Sequence, residues 1–433
     1  MVRGICILRF ISLCCGFIDY TVQSFGLDTI SLNFLCILPY GPLFTTKFTF
    51  ILKGLFTEIY NCKPMNIFYF FKELGTPMYQ WQRIHFIDEL GRGGHHIITF
   101  NPLDYPSTDE ANEKLISVIK DTEDIDLFMN CDDSSVLYPE TMKEINKMGI
   151  PSLLICWDNL ELPYKHKSIA PLFDMVWITS VETKYLFERW GCKNIIFQSF
   201  AANPYVFKPC WGKPISKVGF IGSPYGSRVN KLNDLLASGI YCDVFSDSLF
   251  NIGYNTSLGK VQQFDPLDVC IKAIRYMRFP IGRKVLYSTI KNKLMKKTDL
   301  CSESKFLTKY KSVSDDEMVG LYSDLALSLN ITELRDTYIL KKPVNKTHLR
   351  AFEIPMCGGL QLASYTEELS EYFKDGKEIV LYHSKEEMVD KAKFYLDKKN
   401  ESLVNLMKKA ARARAEKEHT WTRRFNEVFK ICK

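Results

Sequence analysis

Short apolar runs alternate with amphipathic segments along most of the chain, and this pattern begins near Met65. Residues 66–71 (NIFYFF) have the composition of a buried strand, and residues 79–94 place apolar side chains at helical spacing before a group of glycines. The same alternation continues to residue 200. Fully apolar strands joined by helices are typical of a parallel sheet covered on both faces. Residues 65–200 are therefore predicted to form a doubly wound, Rossmann-like α/β domain.

The alternation stops at residues 201–214, which contain three prolines and no periodic apolar pattern. We interpret them as an interdomain linker. The alternation resumes at residue 217 and continues to the end of the chain, except for an irregular, strongly basic segment at 250–313. Residues 215–433 are therefore predicted to form a second Rossmann-like domain. Two such domains facing each other leave a cleft at the carboxyl ends of two sheets, where ligands usually bind.

Residues 1–64 differ from the rest because they are apolar and rich in cysteine. Arg9 interrupts the first apolar run, and Pro39 and Pro42 interrupt the second, so neither provides the roughly 18–20 apolar residues of a membrane-spanning helix. No clear signal peptide is present. Three interpretations of this N-terminal extension remain: a membrane-associating leader, a poorly ordered extension, or a true translation start at Met65. We favour the third.

The overall composition is that of a globular protein with two or three domains. The chain has 433 residues, of which 46% are hydrophobic and 24% charged. Its net charge of +6 fits an anionic small ligand or a membrane surface and is too small to indicate nucleic acid. The 14 cysteines show no CxxC pair and no spacing typical of a zinc module or a disulfide framework. Reduced thiols predict a cytoplasmic protein, with the inner face of the membrane as an alternative location.

One acidic residue, Glu353, lies inside the apolar segment 350–359 (RAFEIPMCGG). A carboxylate in such a segment must be paired, bound to a ligand or turned to water. In the first turn of a helix it is placed to accept hydrogen bonds from the vicinal hydroxyls of a ribose, while Gly358 and Gly359 end the helix and admit backbone close to a ligand. The alternative is a surface acid paired with Arg350 and favoured by the helix dipole. The pattern supports both equally.

The segment FEIPMCGGLQLAS, the following EYFKDGKEIVLYHSKEEMVDKAKFYLDKKNES and a late HTW resemble the C-terminal half of the CgeB-like glycosyltransferases, the spore maturation protein type. These resemble the group 1 retaining nucleotide-sugar transferases of GT-B fold. The resemblance covers 314–425. It is weaker in the N-terminal half, at WQRIHFIDELGRGGHHI, WDN and FIGSPYGSR, and does not reach 1–64. It implies two Rossmann-like domains facing across a cleft, the first binding the acceptor and the second a nucleotide-diphosphate sugar.

The resemblance also implies which residues bind the donor. Glu353 matches the second Glu of the family's Glu-x7-Glu pattern and is implied to hold the ribose, but Asn345 occupies the place of the first Glu. Arg228, after GSPYG, lies where a basic group meets the donor diphosphate, and Lys231 is a weaker candidate one turn later. Arg350, in the segment of Glu353, is also assigned to the donor site. The alternative for Arg228 is a solvated cation at a helix start. Because the family neutralises the diphosphate with Arg, Lys and helix N-termini, we expect no metal and no cofactor.

The acceptor is expected on the N-terminal domain. Gly75 and Thr76 follow the first strand of that domain, and Asp158, in WDN after the fourth, is the best acidic candidate near the acceptor hydroxyl. Asp132 is the next, whereas Asp133 is better explained as a turn-capping residue. A retaining transfer requires no strong base, because the leaving phosphate takes the acceptor proton. Two loop histidines are weaker candidates that are expected at the surface: His166 and His348.

Residues 272–297 interleave nine basic side chains with apolar ones. One interpretation is a helix lying on an anionic membrane, which would bring the protein to a lipid-linked acceptor. The other is a solvated helix face whose apolar side packs on the domain, and we favour it because charged helix faces are ordinarily just solvated.

The sequence therefore predicts a glycosyltransferase of the hexosyltransferase type. It moves a sugar from a nucleotide-diphosphate donor to a glycan, lipid or protein acceptor in cell-envelope or surface-polysaccharide assembly. Retention of configuration is implied by the resemblance. Two alternatives remain open: a nucleotide-sugar epimerase that acts without an acceptor, and a non-catalytic glycan- or nucleotide-binding scaffold. Asn345, in place of a Glu, keeps the scaffold hypothesis open.

Overall fold

The structure is a computed structural model. It describes residues 18–24, 29–36, 44–51, 63–73, 77–250, 266–295 and 298–431. The chain divides into two compact units, Met1–Lys63 and Pro64–Lys433. The described part of the first unit is an antiparallel sheet of three strands: β1 (Ile18–Ser24), β2 (Thr29–Cys36) and β3 (Phe44–Ile51). A translation start at Met65 stays a prediction.

The second unit contains two parallel sheets, and the first has six strands in the order β5-β4-β6-β7-β8-β9. Its strands are β4 (Asn66–Phe70), β5 (His96–Phe100), β6 (Leu127–Asn130), β7 (Ser152–Cys156), β8 (Met175–Ile178) and β9 (Asn194–Phe197). Its helices are α1 (Pro77–Gln82), α2 (Asp88–Arg92), α3 (Thr108–Asp121), α4 (Pro139–Lys147) and α5 (Lys184–Trp190), with a π-helical turn, Arg83–Ile87, joining α1 to α2.

The elements of this sheet form where local chemistry favours them. All five residues of β7 (SLLIC) are buried, as expected of a strand covered on both faces. Ser107 caps α3, its hydroxyl accepting a hydrogen bond of 3.1 Å from the Glu110 amide. Gly191 ends α5 in the left-handed conformation, with a φ of 94°. The interior is built from side chains with no exposed surface, among them Phe68, Phe128 and Leu154.

The second parallel sheet also has six strands, in the order β12-β11-β10-β13-β14-β15. Its strands are β10 (Ile215–Ile221), β11 (Cys242–Phe245), β12 (Leu307–Tyr310), β13 (Leu325–Asn330), β14 (Gln361–Ser364) and β15 (Val380–Tyr382). Its helices are α6 (Ser227–Ala237), α7 (Pro266–Met277), α8 (Pro280–Leu294), α9 (Asp315–Asp324), α10 (Arg350–Met356), α11 (Glu367–Tyr372), α12 (Lys385–Leu396) and α13 (Glu401–Glu418). The predicted α/β class with two Rossmann-like sheets is confirmed.

The strand order creates a switch point in the second sheet. From β10 the chain moves outward through β11 and β12, then returns to β13 on the other side of β10. The loops that follow β10 and β13 therefore leave neighbouring strands in opposite directions. Such a crevice at the carboxyl ends of parallel strands is the usual ligand site of this architecture.

The last helix, α14 (Trp421–Phe429), packs against the first sheet's elements rather than the second's. The Trp421 ring is fully buried, and its centroid lies 5.3 Å from that of Trp81, 4.8 Å from Phe86 and 5.9 Å from Trp157. The late HTW motif therefore includes a residue that fixes the chain's end to its first half. The predicted extent of the second domain, 215–433, does not anticipate this return.

The segment predicted as a linker, 201–214, is anchored at several points. The Ala202 amide donates to the His419 carbonyl over 3.0 Å, and the Asn203 amide group donates to the Ile84 carbonyl over 3.1 Å. Further along, the buried Arg412 guanidinium donates to the Phe207 carbonyl. These contacts hold the connection between the two sheets in one conformation, with α13 as its support.

Candidate active site

Two loops meet at the switch point of the second sheet, and Arg350 joins them. Gly222, in the loop after β10, has a φ of 138°, and a Cβ built there would lie 2.7 Å from Arg350 Nη2. Only glycine combines this backbone conformation with so close an approach. Arg350 begins α10, in the segment that follows β13. Its guanidinium therefore lies directly against the backbone of the loop from the neighbouring strand.

Arg228 adds a second guanidinium to the same place. It is the second residue of α6, its Nη1 donates to the Ser223 carbonyl over 2.9 Å, and its guanidinium lies 4.3 Å from the centroid of the Tyr225 ring. Burial lowers the pKa of Arg228; Tyr225 raises it, and the charge of Arg350 lowers it again. Two like charges thus lie near the N-terminus of α6, a position that favours anions.

A histidine and a lysine extend this cationic cluster. Burial lowers the pKa of His348 to about 3, and the charges of Lys346, Arg350 and Arg228 contribute in the same direction. The His348 imidazole is therefore neutral near pH 7. The positive charge of the cluster resides on Arg228, Arg350 and Lys346.

Lys346 connects the two sheets through an ion pair with Asp158. Its Nζ lies 2.6 Å from Asp158 Oδ1, and the lysine side chain is 5% exposed. Asp158 follows β7 of the first sheet, whereas Lys346 follows β13 of the second. Burial raises the pKa of Asp158, but the charge of Lys346 and its hydrogen bond outweigh this and leave the pKa lowered. Asp158 is therefore an ionised carboxylate in the cleft.

Other polar contacts cross the same cleft. Arg335, after β13, pairs with Glu161, after β7. Glu368 accepts hydrogen bonds from the Ser199 hydroxyl of the first half, over 3.2 Å, and from the Thr347 hydroxyl of the second. The loops from the two sheets are therefore held face to face by charged and hydroxyl groups, in agreement with the predicted cleft.

Glu353 is buried in the first turn of α10, directly behind the cationic cluster. Glu353 is 9% exposed. Burial raises the pKa of its carboxyl group to about 7, while the charge of Arg350 acts to lower it. The surface interpretation of Glu353, as an exposed acid at a helix start, is wrong. The buried position leaves ribose binding as a prediction.

Lys231 and Asn345 are engaged with the protein itself. Lys231 Nζ lies 2.8 Å from Glu333 Oε1, with the two side chains 17% and 9% exposed. The Asn345 side-chain oxygen accepts a 3.0 Å hydrogen bond from the Thr332 hydroxyl. The charge of Lys231 is thus already compensated, which makes it a poorer phosphate ligand than Arg228. Asn345 holds two segments of the loop after β13 together.

The acidic residues after β6 have separate structural partners. Asp132 Oδ2 accepts a 3.0 Å hydrogen bond from the Lys72 amide, and its Oδ1 lies 3.6 Å from Lys72 Nζ. Burial raises the pKa of Asp132. These are the contacts of a residue that anchors the loop after β4, and its predicted catalytic role stays a prediction. Asp133 accepts from the Ser135 amide over 2.9 Å, which agrees with a turn-capping residue.

The glycine predictions have different outcomes. Gly358 ends α10 with a φ of 78°, as predicted, but a Cβ built there would meet Pro209 at 2.6 Å. A Cβ on Gly359 would meet Ile354 at 2.8 Å. Both therefore serve close packing of protein against protein, and these contacts give no support to the predicted approach to a ligand. Gly75 and Thr76 lie outside the described residues.

The expectation that the two loop histidines lie at the surface is wrong for His166, whereas His348 is half-buried. His166 is 7% exposed, and burial lowers its pKa to about 4, with Asp133 and Asp158 acting to raise it and Lys165 to lower it. It therefore lies on the first sheet's side of the cleft, near the carboxylate that pairs with Lys346. His348 faces it from the second sheet's side, within the influence of the same Asp158.

The structure thus brings together Arg228, Arg350 and Asp158 from the predicted set, and adds residues that the sequence did not single out. The missed residues are Lys346, Arg335, Glu333, Glu161 and Glu368. Lys346 was the easiest of these to predict from the sequence, because it follows Asn345 inside the Glu-x7-Glu segment. The others carry no local signal, because their partners lie far away in the sequence.

A comparison with known protein families supports the enzyme class that the sequence predicts. Residues 300–430 match the profile of a family described as "Glycosyl transferase-like". The match covers the strands and helices from β12 to α14, including Arg350 and Glu353, and it confirms the prediction of a glycosyltransferase. A search of curated protein sequences gave no match.

Several solved structures are similar in outline. A glycosyltransferase from Rickettsia africae ESF-5 has 12% identity and a TM-score of 0.49, over 86% of this chain and 98% of that one. Sucrose-phosphate synthase from Thermosynechococcus elongatus has 12% identity and a TM-score of 0.48, over 85% and 99%. Anabaena Alr3699/HepE in complex with UDP has 10% identity and a TM-score of 0.49, over 85% and 99%. At these values the likenesses carry no argument about the chemistry of this chain.

The described residues contain neither a membrane-spanning helix nor a cluster of metal ligands. No helix within that part of the chain is long and apolar enough to cross a membrane. No group of three or more His, Cys, Asp or Glu side chains there is arranged to hold a metal ion.

Proposed function

We propose that this glycosyltransferase takes its sugar from a nucleoside-diphosphate donor bound at the switch point of the second sheet. The observation that carries the proposal is the pair of guanidinium groups of Arg228 and Arg350 beside Gly222. The nearby Lys231 and Lys346, by contrast, are already engaged in ion pairs with Glu333 and Asp158. Two guanidinium groups at a helix N-terminus form a binding site for a diphosphate, whose charge must be stabilised when it leaves.

The nucleoside is proposed to extend from this diphosphate site towards α10. Glu353 is one helical turn from Arg350, so a ribose bound next to the diphosphate would bring its vicinal hydroxyls towards that carboxylate. A pKa of about 7 leaves Glu353 able to accept or donate hydrogen bonds near neutral pH. We therefore keep the ribose role for Glu353, within a CgeB-like enzyme of the group 1 type.

The proposed reaction exchanges one bond to the anomeric carbon for another. The bond to the diphosphate oxygen breaks, a bond to the acceptor oxygen forms, and the acceptor proton passes to a phosphate oxygen. The products are the glycoside and the nucleoside diphosphate. Arg228 and Arg350 stabilise the leaving charge, and His348 remains neutral beside it. Asp158, across the cleft, orients the acceptor hydroxyl. Retention of configuration, which needs no stronger base, is part of this proposal.

The acceptor is proposed to be a glycan or lipid-linked glycan of cell-envelope or surface-polysaccharide assembly, bound on the first sheet's side near Asp158. Membrane contact through 272–297 would bring a lipid-linked acceptor to the cleft. We propose the cytoplasm, at the inner face of a membrane, as the setting of this enzyme.

The test is a thermal-shift panel of nucleoside diphosphates and nucleotide sugars on the full chain, followed by product analysis of the best donor. A ligand that binds only the folded state raises the melting temperature. We expect a shift with one base, and transfer to a glycan acceptor. A shift without turnover would favour the scaffold, and conversion of the donor with no acceptor present would favour the epimerase. A well-folded protein that shifts with none of the donors would contradict the donor site.

A further inference from the structure

The helices α7 and α8 carry many large apolar side chains that face solvent. We call this area the α7–α8 surface and define it by eight residues. They are Val269, Ile271, Ile274, Met277, Tyr287, Ile290, Leu294 and Met295, which are 40–84% exposed. Isolated exposed apolar residues are ordinary, but a concentration of them on two consecutive helices is typical of an interaction surface.

The same two helices contain the chain's whole excess of positive charge. Residues 266–295 contain seven basic residues and one acidic residue, so their net charge of +6 equals that of the full chain. The rest of the chain is therefore neutral overall. The basic residues are Lys272, Arg275, Arg278, Arg283, Lys284, Lys291 and Lys293.

The inner face of α8 packs on the protein, together with Tyr276 of α7. Val285 and Ser288 are buried, and the Asn292 side chain donates to Asp336 over 2.9 Å. On the opposite face, at helical spacing, Ile290 is 54% and Leu294 84% exposed. The expectation that the apolar side of this segment packs on the domain therefore holds for the inner face, which includes Tyr276 of α7, and is wrong for the outer one.

We propose that the α7–α8 surface lies on a bilayer that contains anionic lipids. Apolar side chains enter the boundary between headgroups and acyl chains, while lysine and arginine pair with lipid phosphates. This chemistry fits a bilayer better than nucleic acid, whose interfaces are mainly polar. A bilayer also fits this chemistry better than a soluble protein partner does. The bilayer offers, on one flat surface, both the apolar layer and the diffuse negative charge that these helices require.

The surface adjoins the cleft between the sheets. Val285 of α8 packs in a cluster with Leu160 and Val344, which lie two residues from Asp158 and Lys346 respectively. The Phe279 ring, between α7 and α8, lies 5.9 Å from that of Tyr164. A bilayer under α7 and α8 would thus lie beside the mouth of the cleft. If the proposed function holds, on which this step rests, the acceptor is a lipid-linked glycan presented from that bilayer.

The test is co-sedimentation of the full chain with vesicles of phosphatidylcholine alone and with added phosphatidylglycerol. We expect binding to the anionic vesicles that weakens as salt is raised. The double variant Ile290→Glu with Leu294→Glu is expected to reduce binding at least tenfold. Leu406→Glu, at a side chain that is 66% exposed on α13, is the matched control and should bind like the parent.

Charge is tested separately from apolar contact. The variant Lys291→Gln with Lys293→Gln should weaken binding on the order of tenfold, because each basic group near an anionic surface contributes to attachment. Lys398→Gln with Lys399→Gln is the control of equal charge change. Equal binding to neutral vesicles, or unchanged binding of the Glu double variant, would overturn the proposal. Binding to heparin that equals binding to the anionic vesicles, and that only the Lys variant loses, would also overturn the proposal. It would identify a polyanion site.

Vesicle binding needs no nucleotide and no turnover, so its outcome is independent of the donor experiment. Loss of binding in the Glu double variant with intact transfer to a soluble acceptor would separate the membrane surface from the catalytic site. Binding without any sugar transfer would leave the surface in place and contradict the proposed function alone.

Discussion

Lys346 and Asp158 are 188 residues apart in the sequence, and their charged groups are 2.6 Å apart in the structure. The lysine is almost fully buried, whereas the carboxylate is 63% exposed. A buried ammonium needs a partner, and here the partner belongs to the opposite sheet. The pair therefore couples the position of the two sheets to the electrostatics of the cationic cluster.

Asp158→Asn should lower the free energy of unfolding by about 1 kcal/mol, because it removes the charged partner of a buried ammonium group. The effect is small because the Asp158 side chain is exposed. Urea unfolding at pH 7 measures this. Asp390→Asn, at an exposed position on α12, is the control and should change stability much less. Equal stability of both variants would show that the ion pair contributes nothing to the arrangement of the sheets.

The pair also has a defined pH dependence. The pKa of Asp158 is lowered in the folded state, so its contribution is present above the ordinary carboxyl pKa and is lost as pH falls through the lowered value. We expect the stability difference between Asp158→Asn and the parent to vanish in acid. A difference that persists at pH 2 would point to packing rather than charge.

Arg228→Ala should weaken nucleoside-diphosphate binding about 10- to 100-fold, because a charge-assisted bond to a phosphate contributes about 1.5–3 kcal/mol. Isothermal titration with the nucleotide identified by thermal shift measures it. Arg228→Lys should recover part of the affinity, since it keeps the charge but loses the planar fork. Arg189→Ala, an exposed site on α5, is the control. Unchanged affinity in Arg228→Ala would contradict the diphosphate assignment.

The two sheets were predictable because their signals are local. β7 is a continuous apolar run, and α3 begins at a serine whose hydroxyl caps it, so each could be recognised within about ten residues. The segment 250–313 could not be interpreted in this way. Its helices leave many apolar residues exposed, and β12 (LTKY) is an edge strand with no fully buried side chain. Apolar periodicity therefore gave no clear boundary there.

The candidate site was predictable only in part, and the limit is sequence distance. Arg228 was found because it closely follows a glycine in a segment that resembles a known family, and Arg350 because it begins the segment that holds Glu353. Lys346, Arg335 and Glu368 act through partners on the other sheet, which no local pattern connects to them. The burial of Glu353 likewise depends on packing against the rest of the second sheet, so its raised pKa could not be inferred from an apolar neighbourhood alone.

Glu353→Gln should raise the donor KM, because the amide keeps the shape of the side chain but cannot accept two hydrogen bonds from a ribose in the same way. The measurement is steady-state kinetics with the donor varied, and Glu353→Ala should be more severe, with either a larger rise in KM or loss of transfer. The control is the melting temperature of both variants without ligand. A normal donor KM in a folded Glu353→Gln variant would contradict the ribose role.

The pH dependence of stability tests the environment of Glu353 independently of activity. Its pKa is raised from 4.5 to about 7, so the folded state holds the proton more tightly and loses relative stability as pH rises from 4.5 through 7. Glu353→Gln removes this loss. Relative to the parent, the variant should gain on the order of 3 kcal/mol between pH 4 and pH 8. Parallel pH profiles for the two proteins would contradict a buried carboxyl.

Trp421→Ala should destabilise the chain by about 3–5 kcal/mol, because it empties the aromatic cluster that fixes α14 to the first sheet's helices. Denaturant unfolding monitored by circular dichroism measures the loss. Trp211→Ala is the matched control, since that ring is 49% exposed and should cost much less. Because α14 connects the end of the second half to the first, we also expect the variant to become more sensitive to proteolysis between α13 and α14. Equal stability of the two variants would mean that α14 adds nothing to the union of the two sheets.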